Sequence, residues 1–224
     1  MIELLNYSHQ AAWQTVIHPW QSPINIDQTA VKKETPDQPE VSFLTPYNFD
    51  SVEHHGNNLQ FNGHGQAKLN GRLFEFKQLH FHFPAEHLYN GTVYPFEWHF
   101  VHQDQIGHLA VVAFWVTVAT EKNPFFAPFF KKFALKEGQG ETFSVQLPLP
   151  EILKHHSPAV FNYLGSLTTP PLTRSVEWWV FKDPLMASKQ QLQTLHEQFS
   201  SDNARQRQAI ADRPVILFTA PQNN

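Results

Sequence analysis

The chain has 224 residues, 41% of them hydrophobic, enough to bury the core of one packed domain spanning 1–224. Only 16% are charged, with mixed signs and a formal charge of −4, so the basic footprint of a nucleic-acid binder is excluded. Cysteine is absent, which removes disulfides, thiolate ligands and thiol nucleophiles and leaves the chemistry to 14 histidines, the carboxylates and the hydroxyls.

The segment Met1-Ile2-Glu3-Leu4-Leu5-Asn6 carries neither the basic region nor the long apolar stretch of a secretory signal, and no later run approaches a membrane span. A cytoplasmic protein without a membrane anchor is the expectation, although a chain trimmed of its signal, secreted or periplasmic, would read alike. Short apolar or alternating segments then recur at Val41-Ser42-Phe43, Leu59-Gln60-Phe61, Leu73 to Phe76, Leu79 to Phe83, Glu97 to Val101, Leu109 to Val118 and Val176 to Phe181. Asn70-Gly71 and Asn90-Gly91 mark turns between them, and 17 prolines punctuate the chain. This pattern predicts a mainly β (α+β) fold with a largely antiparallel sheet and a few short peripheral helices. The aromatic run Phe125 to Phe133 follows a plausible helix start at Asn123-Pro124 and predicts a short core-facing helix, with a partner surface as the alternative. Ser188 and Gln191 form a capping box ahead of Leu192, Leu195 and Phe199, which repeat at helical spacing. No repeat or linker divides the chain, and its oligomeric state is not legible, though a homodimer is compatible with it.

The run Gln78-Leu79-His80-Phe81-His82-Phe83 alternates, so on a strand both histidines project from one face and the apolar side chains from the other. A second strand, Glu97-Trp98-His99-Phe100-Val101-His102, can bring His99 opposite them. Three neutral imidazoles leave one position of a tetrahedral zinc ion open, the mark of a catalytic rather than a structural site. Gln78 and Glu97, each two residues before a ligand, share the ligands' faces and can accept their outward N–H groups. His102 falls on the opposite face from His99 and reads as structural. Taken alone, His-x-His also suits a pair of surface residues, and Gly165-Ser166-Leu167-Thr168-Thr169-Pro170-Pro171 reads alone as a turn stiffened by its prolines.

Together these segments resemble the alpha-class carbonic anhydrases, and their bacterial branch in particular. The resemblance is carried by Gln21 to Ile26, Gln78 to His82, Pro84-Ala85-Glu86-His87, Tyr94 to His102, Gly165 to Pro171, and Trp178 with Val180, in family order over most of the chain. It implies a single domain around a twisted, mostly antiparallel sheet of about ten strands, with one Zn2+ per chain at the bottom of a conical cleft. It also implies reversible hydration of carbon dioxide to bicarbonate. His80, His82 and His99 match the zinc ligands, Thr168 the threonine beside the attacking hydroxide, and Glu86 its carboxylate partner. Val101, Val111, Leu167 and Trp178 match the apolar carbon dioxide pocket, Thr169, Gln60 and His55 the polar side of the cleft, and Tyr7 a tyrosine of its solvent network.

The departures are informative. Fast members of the family place a proton-shuttle histidine after the glycine of Asn-Asn-Gly; here the segment is His54-His55-Gly56-Asn57, and Asn57 cannot titrate. His55 is expected to assist, ahead of His54 or His64. Secreted bacterial members join two cysteines whose places are taken by Val16 and Leu172, which favours the cytoplasmic reading. Near the C-terminus the family's Asn-x-Arg-Pro-x-Gln-Pro-Leu aligns with Ala211 to Phe218, so that the Ala211 carbonyl would support His82 and the glutamine would be lost at Ile216. Two other readings stay open. In a cupin-like oxygenase or isomerase, Glu86 would join His80 and His82 on iron or manganese; in a non-enzymatic module, the fold would persist without the chemistry.

Overall fold

The computed structural model describes residues 5–13, 19–36, 40–199 and 201–219. Among the described residues fourteen strands run in chain order: β1 (Asn25–Ile26), β2 (Lys32–Glu34), β3 (Val41–Phe43), β4 (Tyr47–His54), β5 (Leu59–His64), β6 (Gln66–Leu69), β7 (Arg72–His82), β8 (Leu88–Tyr89), β9 (Phe96–Gln103), β10 (Leu109–Ala119), β11 (Gly140–Leu147), β12 (Val160–Ser166), β13 (Arg174–Ser188) and β14 (Ile216–Phe218). Twelve belong to one sheet, ordered β11-β4-β5-β7-β9-β10-β13-β12-β14-β2, with β6 on β7 and β3 on β6 beside that path.

The sheet is mixed. Most pairs are antiparallel, but β10 and β13 run parallel from Ala110↔Glu177 to Ala119↔Ser188, and β14 pairs parallel with β2. The long excursion through β11 and β12 between β10 and β13 supplies the crossover that a parallel pair requires.

One bulge decides which way the site histidines point. In β7, Phe74 and Phe76 face the core; the register against β9 then shifts between Phe76 and Gln78, after which Leu79 and Phe81 face it instead. Side chains alternate with period two, so the extra residue turns Gln78, His80 and His82 onto the opposite face. The segments Leu73 to Phe76 and Leu79 to Phe83, expected as two runs, are thus largely one strand with a phase change. β9 is buried on both faces, with Trp98 and Phe100 in the larger core and Val101 in the smaller one across the sheet.

The aromatic run packs inward: Phe126, Phe129, Phe130 and Phe133 join the larger core around a short 3-10 helix, Ala127–Phe130. Only Phe125 is exposed, at 46%. Helix α1 is a single turn, Leu149–Ile152, and α2 is Lys189–His196. Both bonds of the Ser188–Gln191 capping box are made, and Leu192 and Leu195 bury the inner face of α2. No helix among the described residues is long and apolar enough to cross a membrane.

Candidate metal centre

Strand register assembles the site in rows. His80 stands directly across from His99, which stands across from Ala113 on β10. The neighbouring row runs Gln78, Val101, Val111, Trp178 and Tyr163 over five adjacent strands. A polar row and an apolar row therefore lie side by side on rigid backbone.

The three imidazoles present ligand atoms that all lie within 4.8 Å of one another. Each ring has one nitrogen fixed from behind. His80 Nδ1 is 2.8 Å from Gln78 Oε1, His82 Nδ1 is 2.8 Å from the Asn203 carbonyl, and His99 Nε2 is 3.0 Å from Glu97 Oε1. All three partners are acceptors, so each fixed nitrogen carries the proton and the other keeps a bare lone pair. For His82 that atom, Nε2, is buried with no hydrogen-bond partner. Burial, reinforced by the neighbouring histidines, holds His80 well below the ordinary imidazole range; burial lowers His82 as well, against the opposing charge of Glu86. Three neutral nitrogens with converging lone pairs fit a zinc ion.

A second group, His87, Glu97 and His99, is also close enough to ligate. Its atoms are bonded to one another instead: Glu97 Oε1 lies 2.6 Å from His87 Nδ1, and Glu97 Oε2 accepts from the His87 backbone N–H at 2.8 Å. Burial opposes ionisation of Glu97, but His87 and His99 together hold its carboxyl well below the usual range. The chain of contacts continues from His87 Nε2 to the Tyr163 hydroxyl at 2.7 Å, and that hydroxyl donates to Ser22 Oγ at 2.8 Å. Gly165 permits the approach, because a Cβ there would overlap Ser22 Oγ.

Glu86 is fully buried. Its Oε1 accepts from the Arg205 backbone N–H at 2.8 Å, and its Oε2 has no partner. Thr168 is buried at the head of the Gly165 to Pro171 loop, but no hydrogen bond joins it to Glu86, contrary to the expected pairing. Val101, Val111 and Trp178 share one apolar cluster, with Leu167 packed against it. Thr169 is half-buried beside Thr168. Tyr7 opens the 3-10 helix Tyr7–Trp13, and burial, with the Glu86 charge adding to it, raises its hydroxyl well above the phenol range.

On the polar side, His55 Nε2 lies 3.3 Å from Glu53 Oε2, and a charge on His55 disfavours one on His80. Glu53 Oε1 accepts from Asn62 Nδ2 at 2.8 Å, and Asn62 Oδ1 accepts from Gln60 Nε2 at 2.7 Å. Asn57 is buried, its amide donating to the Leu5 carbonyl at 3.1 Å. His102, on the far face, is buried with Nε2 2.6 Å from the Tyr47 hydroxyl.

The carbonyl behind His82 belongs to Asn203, not to Ala211. That carbonyl lies in the stretch Asn203-Ala204-Arg205-Gln206-Arg207-Gln208, in which the Arg205 backbone N–H reaches Glu86, its guanidinium reaches Gln21, and Gln208 is bridged to Ile24. The Arg213-Pro214 dipeptide resembles the family's Arg-Pro, but it lies ten residues beyond the carbonyl that meets His82. Of the pair standing in for a disulfide, Val16 lies outside the described residues, and Leu172 is buried in the left-handed region at φ 57°. Sequence reasoning also gave no role to His87, Tyr163 or Ser22, although His87 and Ser22 lie within matched motifs.

A family model described as eukaryotic-type carbonic anhydrase matches residues 8–217. The carbonic anhydrase of Neisseria gonorrhoeae is 31% identical over 202 residues, covering 88% of this chain and 76% of that protein. Among solved structures, an alpha-carbonic anhydrase from Thermovibrio ammonificans in complex with the inhibitor sulfanilamide is 32% identical, with a TM-score of 0.78 over 88% of this chain and 87% of that one. The Photobacterium profundum alpha-carbonic anhydrase is 29% identical, with a TM-score of 0.77 over 88% and 89% of the two chains.

Proposed function

This chain belongs to the eukaryotic-type, or alpha, carbonic anhydrase family, and on that premise we propose that it catalyses the reversible hydration of carbon dioxide to bicarbonate at a single zinc ion held by His80, His82 and His99. The observation that carries the reading is the donor set: three imidazoles, each with one nitrogen fixed by an acceptor and the other bare, converging within 4.8 Å. Bound there, zinc would act as a Lewis acid that generates a nucleophile from water at neutral pH.

The protein's own residues supply the rest. Gln78, Glu97 and the Asn203 carbonyl fix the tautomers of the three rings and aim them, while burial keeps His80 and His82 uncharged. Val101, Val111, Leu167 and Trp178 form a dry wall suited to a small uncharged substrate. Glu86, anchored on one oxygen by Arg205, keeps the other unpaired; when the Thr168 hydroxyl donates a hydrogen bond to it, a bond not made in this structure, Thr168 can accept from the attacking oxygen and turn its lone pair toward carbon. His55 and Glu53 carry the released proton toward solvent. Glu86 lies outside the converging donor set, which argues against a cupin-like ligand role for it.

Stopped-flow carbon dioxide hydration on zinc-loaded protein tests the proposal. Activity well above buffer, lost in His80→Ala and His99→Ala, is expected; a zinc-loaded wild type no faster than buffer refutes it.

A further inference from the structure

Arg213 is buried at 3% exposure, yet no carboxylate among the described residues meets it. Among the described residues its guanidinium donates to backbone carbonyls alone: Nε to Ile210 at 3.1 Å, Nη1 to Leu164 at 3.0 Å, and Nη2 to Ala209 at 3.0 Å and to Gln21. It also lies 5.0 Å from the centroid of the Tyr163 ring.

Two of those carbonyls have telling neighbours. Leu164 follows Tyr163, and Gln21 precedes Ser22. Tyr163 and Ser22 are the end of the chain that begins at His99 and passes through Glu97 and His87, with links of 3.0, 2.6, 2.7 and 2.8 Å. Burying a cation with no counter-charge is costly, and a planar fork that reaches four carbonyls at once is something lysine cannot reproduce.

We infer that Arg213 is a positioning residue for the metal centre: by gripping the backbone beside both Tyr163 and Ser22 it fixes their separation, and through His87 and Glu97 it fixes the ring of His99. The inference rests on the proposed reading of His99 as a zinc ligand. Arg205 holds the same segment from the other side, with Nη1 on Gln21 Oε1 at 3.0 Å and on the Ser22 carbonyl at 2.6 Å. Loosening Arg213 alone therefore shifts the chain without dissolving it.

The test is zinc release from the loaded protein into excess chelator, read alongside thermal unfolding, for wild type, Arg213→Lys, Tyr163→Phe and the double variant. Outer-shell partners typically change metal affinity by roughly 10–100-fold, and the lower end, about tenfold faster release, is expected for Arg213→Lys. Tyr163→Phe should accelerate release similarly, and the double variant should be no faster than the faster single, because both act on one chain. Leu195→Ala, a core truncation in α2 away from the chain, should lower the unfolding temperature and keep wild-type release. The inference is overturned by wild-type release from Arg213→Lys, by additive effects in the double variant, or by equal acceleration in Leu195→Ala. Should Arg213→Lys not fold, Arg213→Gln, which retains a planar donor, is read in the same way. Failure of both to fold also overturns the inference, since architecture alone then accounts for the residue. A wild type that retains no zinc sinks the metal-centre reading itself, and shows this before any variant is made.

Discussion

His82 Nδ1 lies 2.8 Å from the backbone carbonyl of Asn203, a residue 121 positions further along the chain. That carbonyl can aim the ring only as firmly as Asn203 is itself held. Its side chain accepts from the Phe83 N–H and donates to the carbonyls of Phe81 and Asn57, each at 2.9 Å, in a fully buried setting. Asn203→Ala keeps the carbonyl but removes all three anchors, which should cost about 2–4 kcal/mol of stability. Zinc affinity should fall roughly tenfold with it. Denaturant unfolding and chelator competition measure the two, and unchanged affinity in a destabilised variant refutes the coupling.

Glu97 is the most heavily used acceptor in the site, taking the His99 Nε2 proton, the His87 Nδ1 proton and the His87 backbone N–H. Glu97→Gln preserves its shape and replaces one acceptor oxygen with an amide donor, which must then face an N–H. With the amide on the Oε1 side, His99 changes tautomer, pointing a proton where its ligand lone pair belongs, or the ring turns; with it on the Oε2 side, it opposes the His87 backbone N–H and displaces the group that holds His99. Zinc affinity is expected to fall by roughly 10–100-fold, with little change in fold by circular dichroism. Retention of wild-type affinity would show that the carboxylate does not set the tautomer.

How much of this could be read beforehand follows from the range of each interaction. The alternation around His80 and His82, the Glu-x-His spacing at Glu97 and the capping box at Ser188 are local, so sequence exposes them. The bulge between Phe76 and Gln78 is nearly invisible, because a single extra residue leaves both apolar half-patterns intact. β4 and β12 were passed over: their alternation is interrupted by polar residues that meet partners only across the sheet, as Glu53 meets Asn62. The role of Asn203 is not legible in sequence because it is defined by carbonyls and N–H groups far away along the chain, whereas the Arg213-Pro214 dipeptide looks right locally.

The metal-free protein should weaken in acid through His102. Burial pushes this imidazole from an ordinary 6.5 down to about 3. The unfolded chain therefore binds a proton near 6.5 that the folded state refuses until about 3, so this contribution is complete above that window and is lost as pH falls through it. The slope is about 1.4 kcal/mol per pH unit for one such group. His80 and His82 shift in the same direction and add to it. Unfolding free energies measured between about pH 7.5 and 4.5 should fall with pH, and His102→Gln should fall less steeply by one proton's share. Equal slopes would contradict the assignment.

Val111 offers a way to separate substrate access from metal binding. It sits directly between Val101 and Trp178 in the apolar row, while His99 is paired with Ala113 in the next row. Val111→Phe should fill the carbon dioxide pocket and lower hydration about 100-fold, with an overpacking cost of about 1–3 kcal/mol. Zinc content, measured on the purified variant, should match wild type. Loss of zinc would mean that the two rows are not independent; full activity would mean that the substrate does not lie against this wall.

Proton release should depend on His55. Asn57, on the same loop, has its amide committed to the Leu5 carbonyl and offers no group that titrates. His55 Nε2 stands 3.3 Å from Glu53 Oε2, whose other oxygen is held by Asn62, and Glu53 is 46% exposed, so a carboxylate open to solvent lies beside the imidazole. His64 is exposed, with Asp50 at 3.1 Å as its ion-pair partner. In weak buffer, His55→Ala should slow carbon dioxide hydration about tenfold, and added imidazole should restore the rate. In strong buffer the variant should match wild type, since the solvent then does the carrying. His64→Ala should leave both rates unchanged. A His55→Ala protein that is as fast as wild type in weak buffer would remove His55 from the route and leave the cleft dependent on buffer alone.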